Sequence, residues 1–267
     1  MGGGYPVMIV GVVLAGGMSK RYGSPKALAP TPEGPALKVI ANRLREVAST
    51  VAVSLSRRVP PAVTSLARAV GDMVVFDEET RLPCKGPLLG ILSVWRVTGA
   101  EKILYVNVDV PNIRPPTLRK LLSINWGHSV TLLGDGRTIH SLGYVQSRAL
   151  RIGLSSCRLN VRARLFDLYR NPASTLVPWP LIVDNPLEVA NINVPGKPSL
   201  PGRPVITHTT LMRDPYFLWG LVGRRDPSKM ILLEARAFWR HGLWRERRKL
   251  LRMIRGKYSV GHAHITY

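Results

Sequence analysis

VMIVGVVLAGGMSKRYGSPKAL, residues 7–28, carries the first decision about the fold. Val7 to Leu14 is apolar apart from Gly11, and such a run without polar alternation is a strand buried on both faces. It breaks at Ala15-Gly16-Gly17, where no side chain is large enough to block an approaching ligand. Lys20, Arg21 and Lys26 follow along a turn that contains Gly23, Ser24 and Pro25. Glycines let backbone N–H groups approach an anion and the cations neutralise it, so this is a phosphate-holding loop. The ending of a Walker loop is absent, and so is the G-x-G-x-x-G spacing of a dinucleotide fingerprint.

Downstream, strand and helix patterns alternate. Leu37, Ile40, Leu44 and Val47 form a helical stripe across 36–47, 51–54 is a short strand, and 61–70 predicts a helix. Residues 73–76 make a third strand that ends at Asp77-Glu78-Glu79, 88–98 a helix, and 103–108 a strand that delivers Asp109-Val110-Pro111. Short connections between these elements predict an α/β fold, a mostly parallel sheet with helices on both faces. Ligands of such sheets sit outside the carboxyl ends of the strands, where the first loop, Ser54, Asp77 and Asp109 all fall. Asp109, pinned by the proline two residues on, suits a Mg²⁺ ligand, since Mg²⁺ takes one or two carboxylates plus phosphates and water.

Gly86 to Gly90 opens a helix whose free N–H groups can meet an anion. Residues 128–145 predict a hairpin around Gly134-Asp135-Gly136, with His140 in its second strand and outside the chemistry. Residues 148–169 predict a helix whose arginines (148, 151, 158, 162 and 164) face solvent or line a phosphate-binding cleft. Asn191 and Asn193 place two amides on one side of an extended segment. Pro195, Pro198, Pro201 and Pro204 then recur every third residue, the pattern of a semi-rigid linker over 196–204. In the basic stretch 205–267 the clearest helix is 230–255, with Leu232, Trp239, Leu243, Leu250 and Ile254 on one face.

The formal net charge is +22, from 38 Lys+Arg against 16 Asp+Glu. Residues 196–267 hold 15 basic and 4 acidic side chains, so half of that charge sits in about a quarter of the chain. Such a field draws anions in general, whether nucleotides, phosphorylated pterins, nucleic acid or acidic lipid, and does not choose among them. No apolar run approaches the roughly 18 residues that span a bilayer, and residues 1–6 lack a signal-peptide pattern, so a cytoplasmic protein is expected. Cys84 and Cys157 show no metal or pairing spacing and read as two reduced, unpaired thiols.

Four stretches, in this order, resemble the signatures of the MobA-like nucleotidyltransferases, above all the molybdenum cofactor guanylyltransferase branch. Leu14, Ala15, Gly16, Gly17, Ser19, Arg21, Gly23 and Lys26 match L-A-G-G-x-S-x-R-x-G-x-x-K, and 86–90 resembles G-P-L-A-G with Leu89 in place of Ala. Asp109-Val-Pro111 resembles D-M-P and Asn191-Ile-Asn193-Val-Pro195 resembles N-x-N-T-P, so the likeness covers residues 7–195. It implies a Rossmann-like nucleotide-diphospho-sugar transferase fold over 1–195, with the linker and a mainly helical extension beyond it. It also implies a Mg²⁺-dependent transfer of GMP from GTP to molybdopterin, with release of pyrophosphate. Asp109 would hold the metal, while Lys26 and Arg21 neutralise the triphosphate and the backbone of Leu14, Ala15, Gly16 and Gly17 contacts the nucleotide. Asp77 and Ser54 would lie near the nucleoside, with Glu78 or Glu79 as alternatives to Asp77, and Asn191 and Asn193 would face the acceptor. The helix of the extension either packs on the catalytic domain with a solvated basic face or binds an anionic partner. Candidates for that partner are the cofactor, an acceptor molybdoenzyme or chaperone, nucleic acid or a membrane surface.

Two other readings stay open at this level. The same loop and metal site serve transfer to cobinamide phosphate, phospholactate or a sugar phosphate. A non-catalytic protein that binds nucleic acid or another anion would explain the charge, but has no need of the loop, the aspartate and N-x-N-x-P together.

Overall fold

The computed structural model describes residues 8–17, 19, 22–82, 84–123, 129–133, 139–159, 165, 174–179, 182–200 and 212–213. β1 (Ile9–Leu14) lies near the middle of the sheet, and its apolar run divides between the two faces. Val10, Val12 and Leu14 point into one core, and Val13 and Ala15 into the other. That two-sided burial is why the run shows no polar alternation. β2 (Pro30–Thr31) and β3 (Gly34–Pro35) make a small hairpin before α1 (Ala36–Arg45), β4 (Thr50–Leu55), α2 (Pro61–Val70) and β5 (Met73–Phe76). Then come α3 (Pro87–Thr98), β6 (Lys102–Asn107), α4 (Pro115–Ser123), β7 (Ser129–Leu133), β8 (Ile139–Gln146) and α5 (Ser147–Leu159). β9 (Ser174–Pro178), β10 (Asn191–Val194), β11 (Lys197–Ser199) and β12 (Met212–Arg213) complete the elements.

The main sheet has the strand order β12-β9-β7-β8-β6-β1-β4-β5. β5, β4, β1 and β6 are parallel; β8 runs against both β6 and β7, and β12 against β9. One face of the sheet packs on α1, α2 and α4 through Leu37, Ile40, Leu44, Val63, Ala67 and Leu118. The other packs on α3 and α5 through Leu88, Ile91, Leu92, Ala149 and Leu150. The expected mostly parallel sheet with helices on both faces is therefore the observed one. Half-exposed Asp72 ties three of these elements together: it accepts from the Val51 N–H at 2.7 Å and from Arg45 at 3.0 Å. The backbone hydrogen bond first, and then Arg45, hold its carboxyl below the usual aspartate value.

Several expectations change. The helix expected over 148–169 is described as α5 up to Leu159. Residues 197–199, read as the start of a linker, turn back and pair antiparallel with 191–194, while 212–213 add a strand beside β9. The hairpin turn at 134–136 and the helix at 230–255 lie outside the described residues. The cysteines are a correction. Cys84 and Cys157 are not free thiols but form a disulfide, with Cα atoms 5.2 Å apart. They are 73 residues apart in sequence, and α5 packing on α3 brings them together, a juxtaposition that no local spacing encodes. Among the described residues no helix is long and apolar enough to cross a membrane.

Candidate active site

Parallel registration sets the site. Leu14 at the end of β1 lies opposite Ser54 at the end of β4 and Asn107 at the end of β6. Ala15 continues the ladder one residue further, its N–H donating to the Ser54 carbonyl at 2.9 Å. The strands thus end side by side, and the loops that leave them enclose a cavity of about 530 Å³. Leu14, Gly16 and Gly17 form one side of it, Ser54 and Asp77 another, and Lys85, Gly86, Pro87, Leu89 and Gly90 of the α3 entry a third. This volume lies within the range of small-molecule pockets.

Ser54 is 1% exposed, and its hydroxyl donates to Asp77 Oδ1 at 2.7 Å. Asp77 begins the 3₁₀ turn after β5, so its carboxylate is delivered to the pocket by a strand end and set by a neighbouring strand's hydroxyl. Gly90 makes this arrangement possible. A Cβ there would come 2.4 Å from Ser54 Oγ and 2.9 Å from Leu14 Cδ2, so α3 can approach only as glycine. Gly86 has φ 64° and ψ −151°, a backbone region that is essentially closed to other residues. The two glycines of the 86–90 motif thus have separate tasks, one turning the chain and one admitting the serine.

A second cluster lies beyond the glycine loop. Lys26 Nζ donates to Asn193 Oδ1 at 2.8 Å and lies 3.4 Å from Asp109 Oδ2. Ser19, in the left-handed region at φ 46°, accepts from the Lys26 N–H through its hydroxyl at 3.1 Å, which closes the loop beneath the lysine. The Ile192 N–H donates to the Asp109 carbonyl at 2.9 Å, and this brings β10 to the end of β6. The ladder of β10 slips between Ile192 and Val194, a bulge at Asn193 of the kind that re-aims a side chain. Arg43 of α1 donates to the carbonyls of Pro111 and Ile113 at 2.6 and 2.9 Å and holds the segment after Asp109 from the other side. Burial pushes the Asp109 carboxyl above the usual aspartate value, and the Lys26 charge pulls the other way.

The structure thus gathers Leu14, Gly16, Gly17, Ser54 and Asp77 around one cavity, and Lys26, Asp109 and Asn193 into one cluster. Ala15 is buried at the loop's start, and Asn191 is half-buried in β10. Arg21 lies outside the described residues. Asn193 stands beside the lysine and the carboxylate, at the same end as the expected metal ligand. Sequence reading missed Asn107, Ser56, Arg58 and Lys85, all of which line the cavity. Asn107 had a signal: a polar residue that ends an apolar strand two positions before the aspartate. Glu188 also escaped notice. It is 4% exposed and accepts from Thr117 Oγ1 at 2.6 Å and from the Arg114 N–H at 3.3 Å, which fastens the segment before β10 to the start of α4.

The family model for the MobA-like NTP transferase domain matches residues 11–171, which hold both the glycine loop and Asp109. The chain belongs to that family. Relatives include a molybdenum cofactor guanylyltransferase of Sinorhizobium fredii, 30% identical over 195 residues that cover 69% of this chain and 86% of the relative. A protein of Geobacillus described as a "probable molybdenum cofactor guanylyltransferase" is 34% identical over 113 residues, 42% of this chain and only 56% of that protein. The fold matches the crystal structure of molybdopterin-guanine dinucleotide biosynthesis protein A from Archaeoglobus fulgidus, with TM-score 0.56 and 16% identity over 70% of this chain and 93% of that one. Transferases of this family work with a divalent cation. No group of three or more His, Cys, Asp or Glu side chains gathers among the described residues. The hard oxygens of Asp109 and Asn193 still fit a cation that takes its other ligands from phosphates and water.

Proposed function

We propose that the protein transfers GMP from GTP to the terminal phosphate of molybdopterin, or of its molybdenum-loaded form, and releases pyrophosphate. The observation that carries this reading is a nucleoside-sized cavity lined by the glycine loop together with the Lys26–Asp109–Asn193 cluster. The acceptor's phosphate oxygen attacks the α-phosphorus of GTP, the bond to the bridging oxygen breaks, and pyrophosphate leaves with that electron pair. The nucleophile is already an anion, so no strong general base is required. The protein's work is to align two mutually repelling anions and to neutralise charge at the α-phosphate.

Within this reading Asp77 accepts hydrogen bonds from the nucleoside, and Ser54 holds its carboxylate in place. The backbone of Leu14, Ala15, Gly16 and Gly17 borders the sugar and phosphates. Lys26 and Arg21 neutralise the triphosphate. Asp109, with the Asn193 amide beside it, would hold Mg²⁺, whose charge would lower the cost of the developing negative charge on the phosphates. Asn191 lies on the acceptor side. The transferase domain, assigned to 1–195, is extended by β11 and by β12 in the main sheet, and the basic remainder of 205–267 is left to meet an acceptor molybdoenzyme or chaperone.

Pyrophosphate release from each of the four ribonucleoside triphosphates, with and without molybdopterin, tests the assignment. Release from GTP alone, and only with molybdopterin present, is expected. Preference for CTP, or release with another phosphorylated acceptor but not molybdopterin, would replace it.

A further inference from the structure

The segment from Arg81 to Gly86, whose last residues become cavity wall, has an unusual support. This stretch leaves the 3₁₀ turn at Thr80 and enters α3 at Pro87, with positive φ at both ends, 50° at Arg81 and 64° at Gly86. Cys84 is 5% exposed and sits in the core formed by Leu14, Leu88 and Ile91. Its sulfur is bonded to Cys157 of α5, which is fully buried. The next residues along the chain, Lys85, Gly86 and Pro87, line the cavity. The covalent bond therefore enters the loop immediately before the loop becomes pocket wall.

We propose that the Cys84–Cys157 disulfide is a positioning element for nucleotide binding: it holds the Lys85–Pro87 wall in place, and its reduction loosens that wall. The inference rests on reading the cavity as the nucleoside pocket. A ligand that binds the bonded form meets an ordered wall. A ligand that binds the reduced form must order it again, and affinity falls by that cost. Reduction by a dithiol breaks the Sγ–Sγ bond and places one proton on each sulfur. The dithiol supplies both electrons and both protons and becomes the cyclic disulfide. Lys26 follows the loop after β1, Asp109 follows β6 and Asn193 lies in β10, so the cluster does not involve α5 and the chemical step is left intact.

The chain has two cysteines, so a thiol count reports the bond without ambiguity. In the full-length protein unfolded in guanidinium, so that the buried sulfurs are accessible, no thiol should react with Ellman's reagent before dithiothreitol treatment and two should react after treatment and removal of the reductant. GTP affinity by calorimetry should fall about tenfold on reduction, equivalent to about 1.4 kcal/mol, and return on reoxidation. KM for GTP should rise with kcat unchanged, and hydrogen exchange should quicken over 81–90 while β1 and β6 stay protected. The double variant Cys84→Ser/Cys157→Ser should match the reduced protein and ignore dithiothreitol. Two reactive thiols in the untreated protein would overturn the proposal. So would a reduced protein that melts earlier with unchanged GTP affinity and unchanged exchange over 81–90, the outcome of a merely stabilising bond. Failure of the oxidised protein to bind GTP would sink the nucleotide reading instead, and the exchange data would still decide whether the bond holds the wall.

Discussion

The two ends of the cleft are assembled differently. At the proposed nucleoside end, Ser54 and Asp77 are 23 residues apart at the ends of adjacent parallel strands, and close packing against Gly90 sets their geometry. At the proposed phosphate end, Lys26 reaches Asp109 across 83 residues and Asn193 across 167, and charge and hydrogen bonds hold the cluster together. The first end belongs to consecutive β-α units and is fixed once those units pack. The second needs the whole domain, because β10 must return to the end of β6. Damage to the packed end should therefore show in binding and stability, and damage to the charged end in the rate.

The largest test of this contrast is Asp109→Asn. It keeps the shape and removes the charge that would hold the cation, so kcat should fall by several kcal/mol of transition-state stabilisation while GTP still occupies its pocket. Protons compete for the same carboxylate, and its value lies above the usual one. Mg²⁺ affinity, followed by titration at stepped pH, should thus rise as pH climbs through that raised value, and a flat profile would argue against Asp109 as the ligand.

Lys26→Ala comes next. A charge-assisted contact is worth about 1.5–3 kcal/mol, and steady-state kinetics should show that loss mainly in kcat/KM, with little change in melting temperature. A large fall in melting temperature with intact kinetics would reverse the contrast. Gly90→Ala probes the packed end. The added methyl meets Ser54 and Leu14, so about 1–3 kcal/mol of stability should be lost in denaturant titrations, together with weaker GTP binding.

The smallest effect lies away from both ends. Asp72 has a depressed carboxyl, so its contribution is present above the unfolded value near 3.8 and disappears as pH falls through the lower folded value. Asp72→Ala should cost about 0.5–1 kcal/mol at neutral pH, since the pair with Arg45 is half-exposed and solvent-screened, and less at pH 2. Urea titrations at both pH values measure the difference.

This contrast also explains what could be read before the fold was known. β1, β4, β5 and β6 announced themselves because a strand buried on both faces needs an unbroken apolar run. Leu14, Ser54, Asp77 and Asp109 followed, since parallel strands bring their carboxyl ends to one edge. Asn193 was visible as an amide, but its place beside Lys26 depends on a bulge and a long-range return that periodicity does not carry. Lys85 and Arg58 belong to none of the matched motifs, and only the fold brings them to the cavity. The cysteine pair was misread for a similar reason. Two thiols 73 residues apart become neighbours only through the packing of two helices on the same face of the sheet.

The separation of those cysteines also bears on how the protein is made. Cys84 leaves the ribosome with most of the parallel half of the sheet, while Cys157 is still 73 codons away. At about 5–20 residues per second, its partner follows after about 4–15 s. During that interval a nascent chain has the strands of the nucleoside pocket without the bond that braces its wall. The proposed nucleotide site is therefore finished in two stages, the second waiting on a helix from the far half of the domain.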